Sequence, residues 1–221
     1  MILPERYAIS LDLNGKYCLV VGGGQVAERK VHSLLECGAR VKVVSPGISP
    51  ELKDLVAKEA ISYRPGRYRV LDLEGVFLVI GATDREKVNR QISDDCLKRN
   101  LLVNIVDDPA KGNFYVPATV NRGSLNIAIS TGGKSPLLAR KIREELEEMY
   151  GPQYGEFLDL LGVLRVKLLR LTGNIDKMKI MESFFNREII TLVKENRMDE
   201  VKERLRSAYC SSGSEPPDSP S

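Results

Sequence analysis

The stretch Val20-Val21-Gly22-Gly23-Gly24-Gln25-Val26-Ala27-Glu28-Arg29-Lys30 constrains this chain more than any other. A short apolar run, Tyr17 to Val21, ends in three consecutive glycines and passes without a break into helical periodicity. Within it, Gly22-x-Gly24-x-x-Ala27 needs small residues for separate reasons. Gly22 allows a tight strand-to-helix turn, Gly24 lets the backbone approach a ligand, and Ala27 keeps the helix close to the sheet. This is the spacing of a dinucleotide-binding turn, where a diphosphate meets the positive end of a helix dipole. A strand before, a helix after and a further strand at Arg40–Val44 supply the context that the motif requires. Gly22→Asp is therefore expected to abolish coenzyme binding while leaving the fold largely intact.

Strand and helix patterns alternate through the first half of the chain, which argues for a parallel sheet covered on both faces. The expected strands are Lys16–Val21, Val41–Val44, Ile61–Tyr63, Val76–Ile80 and Leu101–Val106, with a partly helical crossover near Tyr68–Asp72. The first helix presents Ala27, Val31, Leu34 and Leu35 on one face and ends at Gly38. Ser49-Pro50 opens the second helix, as an N-cap with proline at the first helical position. Asp84–Lys98 reads as a third, capped by Thr83 or Asp84.

The pattern then changes. Phe114–Val116, Ala118–Asn121 and Asn126–Ser130 are short extended runs, and Ser135-Pro136 caps a helix over Leu137–Met149. Beyond Gly151-Pro152 the periodicity is helical: Tyr154–Leu171, Met178–Glu195 with a break near Asn186, and Met198–Tyr209. The expected class is α/β: a Rossmann-type parallel sheet, then a small α+β dimerisation segment and an all-α C-terminal unit. The expected boundaries are 1–112, 113–150 and 151–210, with 211–221, rich in Ser and Pro, as a disordered tail.

A net charge of +3, from 33 basic and 30 acidic residues, gives no whole-molecule case for nucleic-acid binding. Cys18, Cys37, Cys96 and Cys210 form no C-x-x-C pair, which suits reduced thiols in a cytoplasmic protein. No signal peptide or membrane span is expected. His32, the only histidine, falls off the apolar face of its helix, and no His/Cys cluster has metal-ligand spacing, so no resident metal is expected.

Several motifs leave two readings open. The second strand ends Val43-Val44-Ser45-Pro46-Gly47, without the acid that commonly holds an adenosine ribose. Either the domain is a nucleotide-free relic, or Ser45 and the Pro46-Gly47 backbone contact the ribose; no arginine directly follows Ser45 to take a 2′-phosphate. Gly81-Ala82-Thr83-Asp84 is a crevice loop, a helix cap, or both. Asp107-Asp108 closes the fifth strand, where a carboxylate can take a proton as a hydride leaves, or can simply make an Asx-type turn before Pro109. Thr131-Gly132-Gly133-Lys134-Ser135 is an anion site at a helix N-terminus or a plain Gly-rich connection. Arg140, Lys141 and Arg143, with their neighbouring glutamates, read as a solvated charged face.

Taken in order, these motifs resemble one family. Leu11-Asp12-Leu13-x-Gly15, the glycine turn, Gly38-Ala39, Ala82-Thr83, Asn104-x-x-Asp107-x-Pro109 and Ser130-x-Gly132-Gly133-x-Ser135-Pro136-x-x-Ala139-Arg140 are similar to precorrin-2 dehydrogenases. That family also forms the N-terminal half of multifunctional sirohaem synthases. The resemblance is close over about residues 1–150 and loose beyond. It implies a homodimer that oxidises precorrin-2 to sirohydrochlorin with NAD⁺ as the hydride acceptor. It carries coenzyme contacts onto Gln25, Val26, Pro46 and Gly47, beside Gly22, Gly24, Ser45 and Thr83 from the residue reading. The family's critical aspartate falls on Asp107. A flat, many-carboxylate substrate calls for local cations, for which Lys111, Arg122, Lys134 and Arg140 are the candidates. Asn104 and Thr131, from the matched motifs, join them as substrate contacts. Where some synthases carry a phosphorylated serine, this chain has Thr131. The alternatives are a bifunctional enzyme that also inserts Fe²⁺, and a non-enzymatic nucleotide-sensing module.

Overall fold

A computed structural model of the chain describes residues 7–106, 108–170, 182 and 185–210. The chain divides after Val116 into two compact units.

In the first unit, five parallel strands are ordered β3-β2-β1-β4-β5. They are β1 (Tyr17–Val21), β2 (Arg40–Ser45), β3 (Ile61–Pro65), β4 (Leu78–Gly81) and β5 (Leu102–Ile105). Three helices make crossovers: α1 (Gln25–Glu36), α2 (Pro50–Ala57) and α3 (Glu86–Leu97). The order reverses at β1, which creates a crevice at the carboxyl ends of β1 and β4. Because side chains alternate along a strand, β1 feeds two cores. Cys18 and Val20 join Ala27, Val31, Val43, Leu52 and Ile80 on one face. Leu19 and Val21 join Val44, Val79, Ile92, Cys96 and Ile105 on the other. Each such fully buried aliphatic side chain contributes about 1.5–3 kcal/mol of transfer free energy. Burial pushes the Cys18 thiol up to about 11 and the Cys96 thiol up to about 12, so both stay protonated near neutral pH.

Local chemistry explains the helix ends. Gly38, with φ +74°, follows α1, as its C-terminal signal predicts. Ser49 Oγ accepts the Leu52 N–H at 3.3 Å, with Pro50 in the first turn of α2. The crossover between β3 and β4 contains a short 3₁₀ turn, Val70–Leu73. Helix α3 begins at Glu86, two residues later than its sequence suggests. Thr83 is drawn into a local network instead: its hydroxyl accepts the Arg85 N–H at 3.2 Å and lies 2.7 Å from Asn89 Oδ1.

The second unit opens with an antiparallel hairpin, β6 (Ala118–Arg122) and β7 (Leu125–Ile129). Helices α4 (Pro136–Met149), α5 (Gln153–Arg170), α6 (Arg187–Lys194) and α7 (Met198–Cys210) follow. Phe157, Leu161, Leu164 and Leu168, spaced to fall on one face of α5, pack with Ile189, Val193, Val201 and Leu205. The expected break at Asn186 is an N-cap, where Asn186 Oδ1 accepts the Ile189 N–H at 2.9 Å. Residues 178–181 of the expected long helix, and the expected disordered tail 211–221, lie outside the described residues.

Of the three expected extended runs, Phe114–Val116 is not part of either sheet. Side chains hold this segment along β5 in place of a ladder. Asn113 Oδ1 accepts the Val103 N–H at 2.8 Å, and Asn104 Nδ2 donates to the Phe114 carbonyl at 3.1 Å.

Candidate functional site

Parallel register brings the carboxyl ends of the central strands level, since Val21 pairs with both Val44 and Gly81. The three loops that follow therefore meet. Between them lies a cavity of about 850 Å³, within the range of ligand pockets. Gly22, Gly24, Gln25, Val26, Ser45, Pro46, Gly47 and Thr83, the eight coenzyme contacts expected from the sequence, all line it.

The glycines are small for different reasons. Gly22 has φ +135°, and a Cβ there would lie 2.2 Å from the Ala82 carbonyl oxygen. Gly22→Asp thus strikes the fold itself, contrary to the expectation that it would act on binding alone. At Gly23, a Cβ would come within 2.0 Å of the Gly47 carbonyl oxygen, a constraint the fingerprint does not include. At Gly24 a Cβ would meet nothing within 4 Å, so packing leaves this position open toward the cavity.

Gly24 is also the N-cap of α1 and offers no side-chain cap. The first-turn N–H groups of α1 consequently face the cavity without a capping acceptor, the arrangement that binds an anion. Two bonds hold the turn in place: the Ser49 N–H donates to the Gly23 carbonyl at 2.8 Å, and Ser49 Oγ donates to Glu28 Oε2 at 2.7 Å. A dinucleotide's diphosphate fits this cradle.

Sequence reasoning missed Arg67, Tyr68 and Arg85, which also line the cavity. The available signal was topological. In a doubly wound sheet every loop at the carboxyl edge faces the crevice, the one after β3 included. A buried carboxylate shapes that loop. Asp72, 5% exposed, accepts from Arg64 Nε at 2.7 Å, the Arg69 N–H at 2.9 Å and Lys42 Nζ at 3.2 Å. Burial alone would raise the Asp72 carboxyl, but the Arg64 guanidinium, the Arg69 N–H and the Lys42 ammonium outweigh it and hold it below the ordinary carboxylate value.

The expected catalytic residue, Asp107, lies outside the described residues; Val106, which precedes it, lines the cavity. Asp108 pairs with Lys111 at 2.6 Å, and Lys111 also pairs with Glu86. The Lys111 ammonium holds the Asp108 carboxyl below its usual range. Lys111 is thus engaged within its own unit. Asn104 is buried on β5, bonded to Phe114, and does not line the cavity.

Four of the expected substrate contacts belong to the second unit. Arg122 is spent on backbone, donating to the Tyr150, Glu147 and Asn121 carbonyls at 2.8, 3.1 and 2.9 Å. The Thr131 hydroxyl donates to the Ser135 carbonyl at 3.0 Å and accepts the Ser135 N–H at 3.2 Å, which fixes the Gly-Gly turn ahead of α4. Lys134 is exposed, and so is Arg140, paired along the helix with Glu144 at 2.8 Å. His32 is half-exposed beside Glu51, 3.4 Å away. Among the described residues, no group of three or more His, Cys, Asp or Glu side chains could hold a metal ion.

Comparison with known proteins agrees with this geometry. Residues 9–118 match a family model described as NAD(P)-binding, and residues 122–149 match the central region of sirohaem biosynthesis proteins. The siroheme synthase of Thioalkalivibrio sulfidiphilus is 37% identical over 205 residues, which is 92% of this chain and 42% of that protein. The siroheme synthase of Chromobacterium violaceum is 42% identical over 151 residues, 68% of this chain and 32% of that protein. The chain therefore spans less than half the length of these synthases. Among solved structures, the precorrin-2 dehydrogenase SirC superposes with a TM-score of 0.74 at 31% identity, covering 90% of this chain and 100% of SirC. The chain belongs to the precorrin-2 dehydrogenase family.

Proposed function

We propose that the chain is an NAD-dependent oxidoreductase that converts precorrin-2 to sirohydrochlorin in sirohaem biosynthesis. The observation that carries this reading is the open Gly24 position at the uncapped N-terminus of α1, at the reversal point of the sheet. Full-length similarity to SirC supports the substrate.

In this reaction a hydride and a proton leave the tetrapyrrole, and the bound nicotinamide supplies the hydride acceptor. The protein's own work is placement and proton removal. The α1 N–H groups and the Gly22–Gly24 turn would hold the diphosphate, while Ser45, Pro46 and Gly47 would meet the adenosine ribose. Asp107, next in the chain after Val106, is the general base. Lys134 is exposed to bind substrate carboxylates, and Arg140 is exposed beside Glu144, from which a substrate carboxylate would draw it; Lys111 and Arg122 are committed to partners within the fold.

An anaerobic assay that follows NADH absorbance, with precorrin-2 generated in situ, tests the activity. Asp107→Ala is expected to lower kcat by at least about 100-fold, within the usual range for a lost general base, while NAD⁺ affinity is retained. Full turnover in that variant would remove Asp107 from the mechanism.

We read 113–150 as the dimerisation segment of a cytoplasmic homodimer. The exposed Leu137 and Leu138, at 67% and 50%, support a partnered surface on α4. No helix among the described residues is long and apolar enough to cross a membrane.

A further inference from the structure

Within the coenzyme reading above, the cavity's adenosine end raises a question of its own. NAD-specific folds of this kind place a carboxylate at the end of β2, where it accepts hydrogen bonds from the ribose diol. Such a carboxylate also repels a 2′-phosphate, so its presence selects against NADP. Here β2 ends in Ser45, followed by Pro46 and Gly47, with no acid.

A cation lines the same cavity from the neighbouring loop. The Gly66 N–H donates to the Ser45 carbonyl at 3.0 Å, which carries the β2–β3 pairing one step past the ladder. Arg67, the next residue, is exposed and lines the same cavity as Ser45, Pro46 and Gly47. Its backbone is held from behind: Arg64 Nη2 donates to the Arg67 carbonyl at 2.9 Å, and Arg64 is itself bound by buried Asp72. No carboxylate among the described residues is paired with the Arg67 guanidinium. Beyond Pro46 and Gly47 lies a second cavity of about 500 Å³, lined also by Lys53 and Tyr63. The turn after β2 thus has a basic residue on each side. Among the described residues, the one acid lining either cavity is Asp84, in the loop after β4.

We infer that the Ser45–Gly47 turn and Arg67 form a 2′-phosphate subsite, so that the chain binds NADP⁺ at least as tightly as NAD⁺. The Ser45 hydroxyl and the planar guanidinium fork suit a phosphate dianion. Arg67 belongs to the loop after β3, which is why a reading confined to the residues after Ser45 finds no arginine.

Isothermal titration of the full chain with NAD⁺ and NADP⁺ tests this without turnover. NADP⁺ is expected to bind as tightly as NAD⁺, within threefold, or more tightly. In Arg67→Ala, the ratio of NADP⁺ to NAD⁺ affinity is expected to fall at least fivefold; Arg67→Lys should recover part of that loss. NAD⁺ binding with NADP⁺ more than threefold weaker would overturn this inference alone. A smaller fall in the Arg67→Ala ratio would overturn the role of Arg67. Failure of both coenzymes to bind would overturn it together with the coenzyme reading on which it rests.

Discussion

Three adjacent glycines divide the labour of the turn after β1, and substitution separates their roles. Gly22 and Gly23 are small because other backbone passes within 2.2 and 2.0 Å of where their Cβ atoms would lie. Gly24 is small with open space around it. Gly22→Ala combines a φ of +135° with that overlap, and is expected to cost about 2–4 kcal/mol of stability in urea unfolding. Gly24→Asp places a negative side chain at the proposed diphosphate site, where a Cβ meets nothing within 4 Å. Its melting temperature is expected to stay within about 3 °C of wild type while the NAD⁺ dissociation constant rises at least about tenfold, roughly 1.4 kcal/mol. Unchanged NAD⁺ affinity in Gly24→Asp would separate the turn from the coenzyme.

Edges and ends of elements carry much of this chain's polar chemistry. β5 is the last strand of its sheet, and Asn113 completes its outer edge. The Asn113 N–H donates to the Val103 carbonyl, and its side chain accepts from the Val103 N–H and donates to the Leu101 carbonyl at 2.8 Å. One residue thus mimics a short paired strand and blunts an edge otherwise open to other chains. Asn113→Ala leaves the Val103 N–H, on a fully buried residue, without its acceptor. The expected loss is about 1–3 kcal/mol, read as a lower urea midpoint at unchanged m-value. Arg122 does comparable work at the C-terminus of α4, where its guanidinium takes up the Glu147 and Tyr150 carbonyls. A sequence reading sees a cation near an anionic substrate; the fold uses that cation to finish a helix.

Across the first unit, Asp72 links β2, β3 and the turn after β3 through Lys42, Arg64 and Arg69. Its carboxyl titrates below the ordinary value of 3.8 in the folded chain. A depressed folded pKa contributes stability above the unfolded pKa and loses it as pH falls through the folded one. The denaturation midpoint should therefore drop as pH is lowered below about 4. Asp72→Asn is expected to be less stable at pH 7 by about 2–3 kcal/mol, with the gap to wild type narrowing below pH 4. A gap independent of pH would mean that Asp72 acts by packing and not by charge.

The order of elements, the caps at Ser49 and Ser135, the break near Asn186 and the glycine turn were legible in the sequence because each follows from local rules. Those rules are an apolar period, a side chain that bonds its own backbone, and a glycine where the chain must bend. Ser45, Pro46, Gly47 and Thr83 were reachable too, because a parallel sheet sends every crevice loop to one edge. Pairing between distant residues was not legible. Whether Arg122 meets substrate or the end of α4, and whether Arg67 stands beside Ser45, depends on which strands become neighbours. Neighbours separated by tens of residues are chosen by how two hydrophobic faces close around the sheet. Tertiary packing alone decided which cations were consumed inside the fold and which were left facing the cavity.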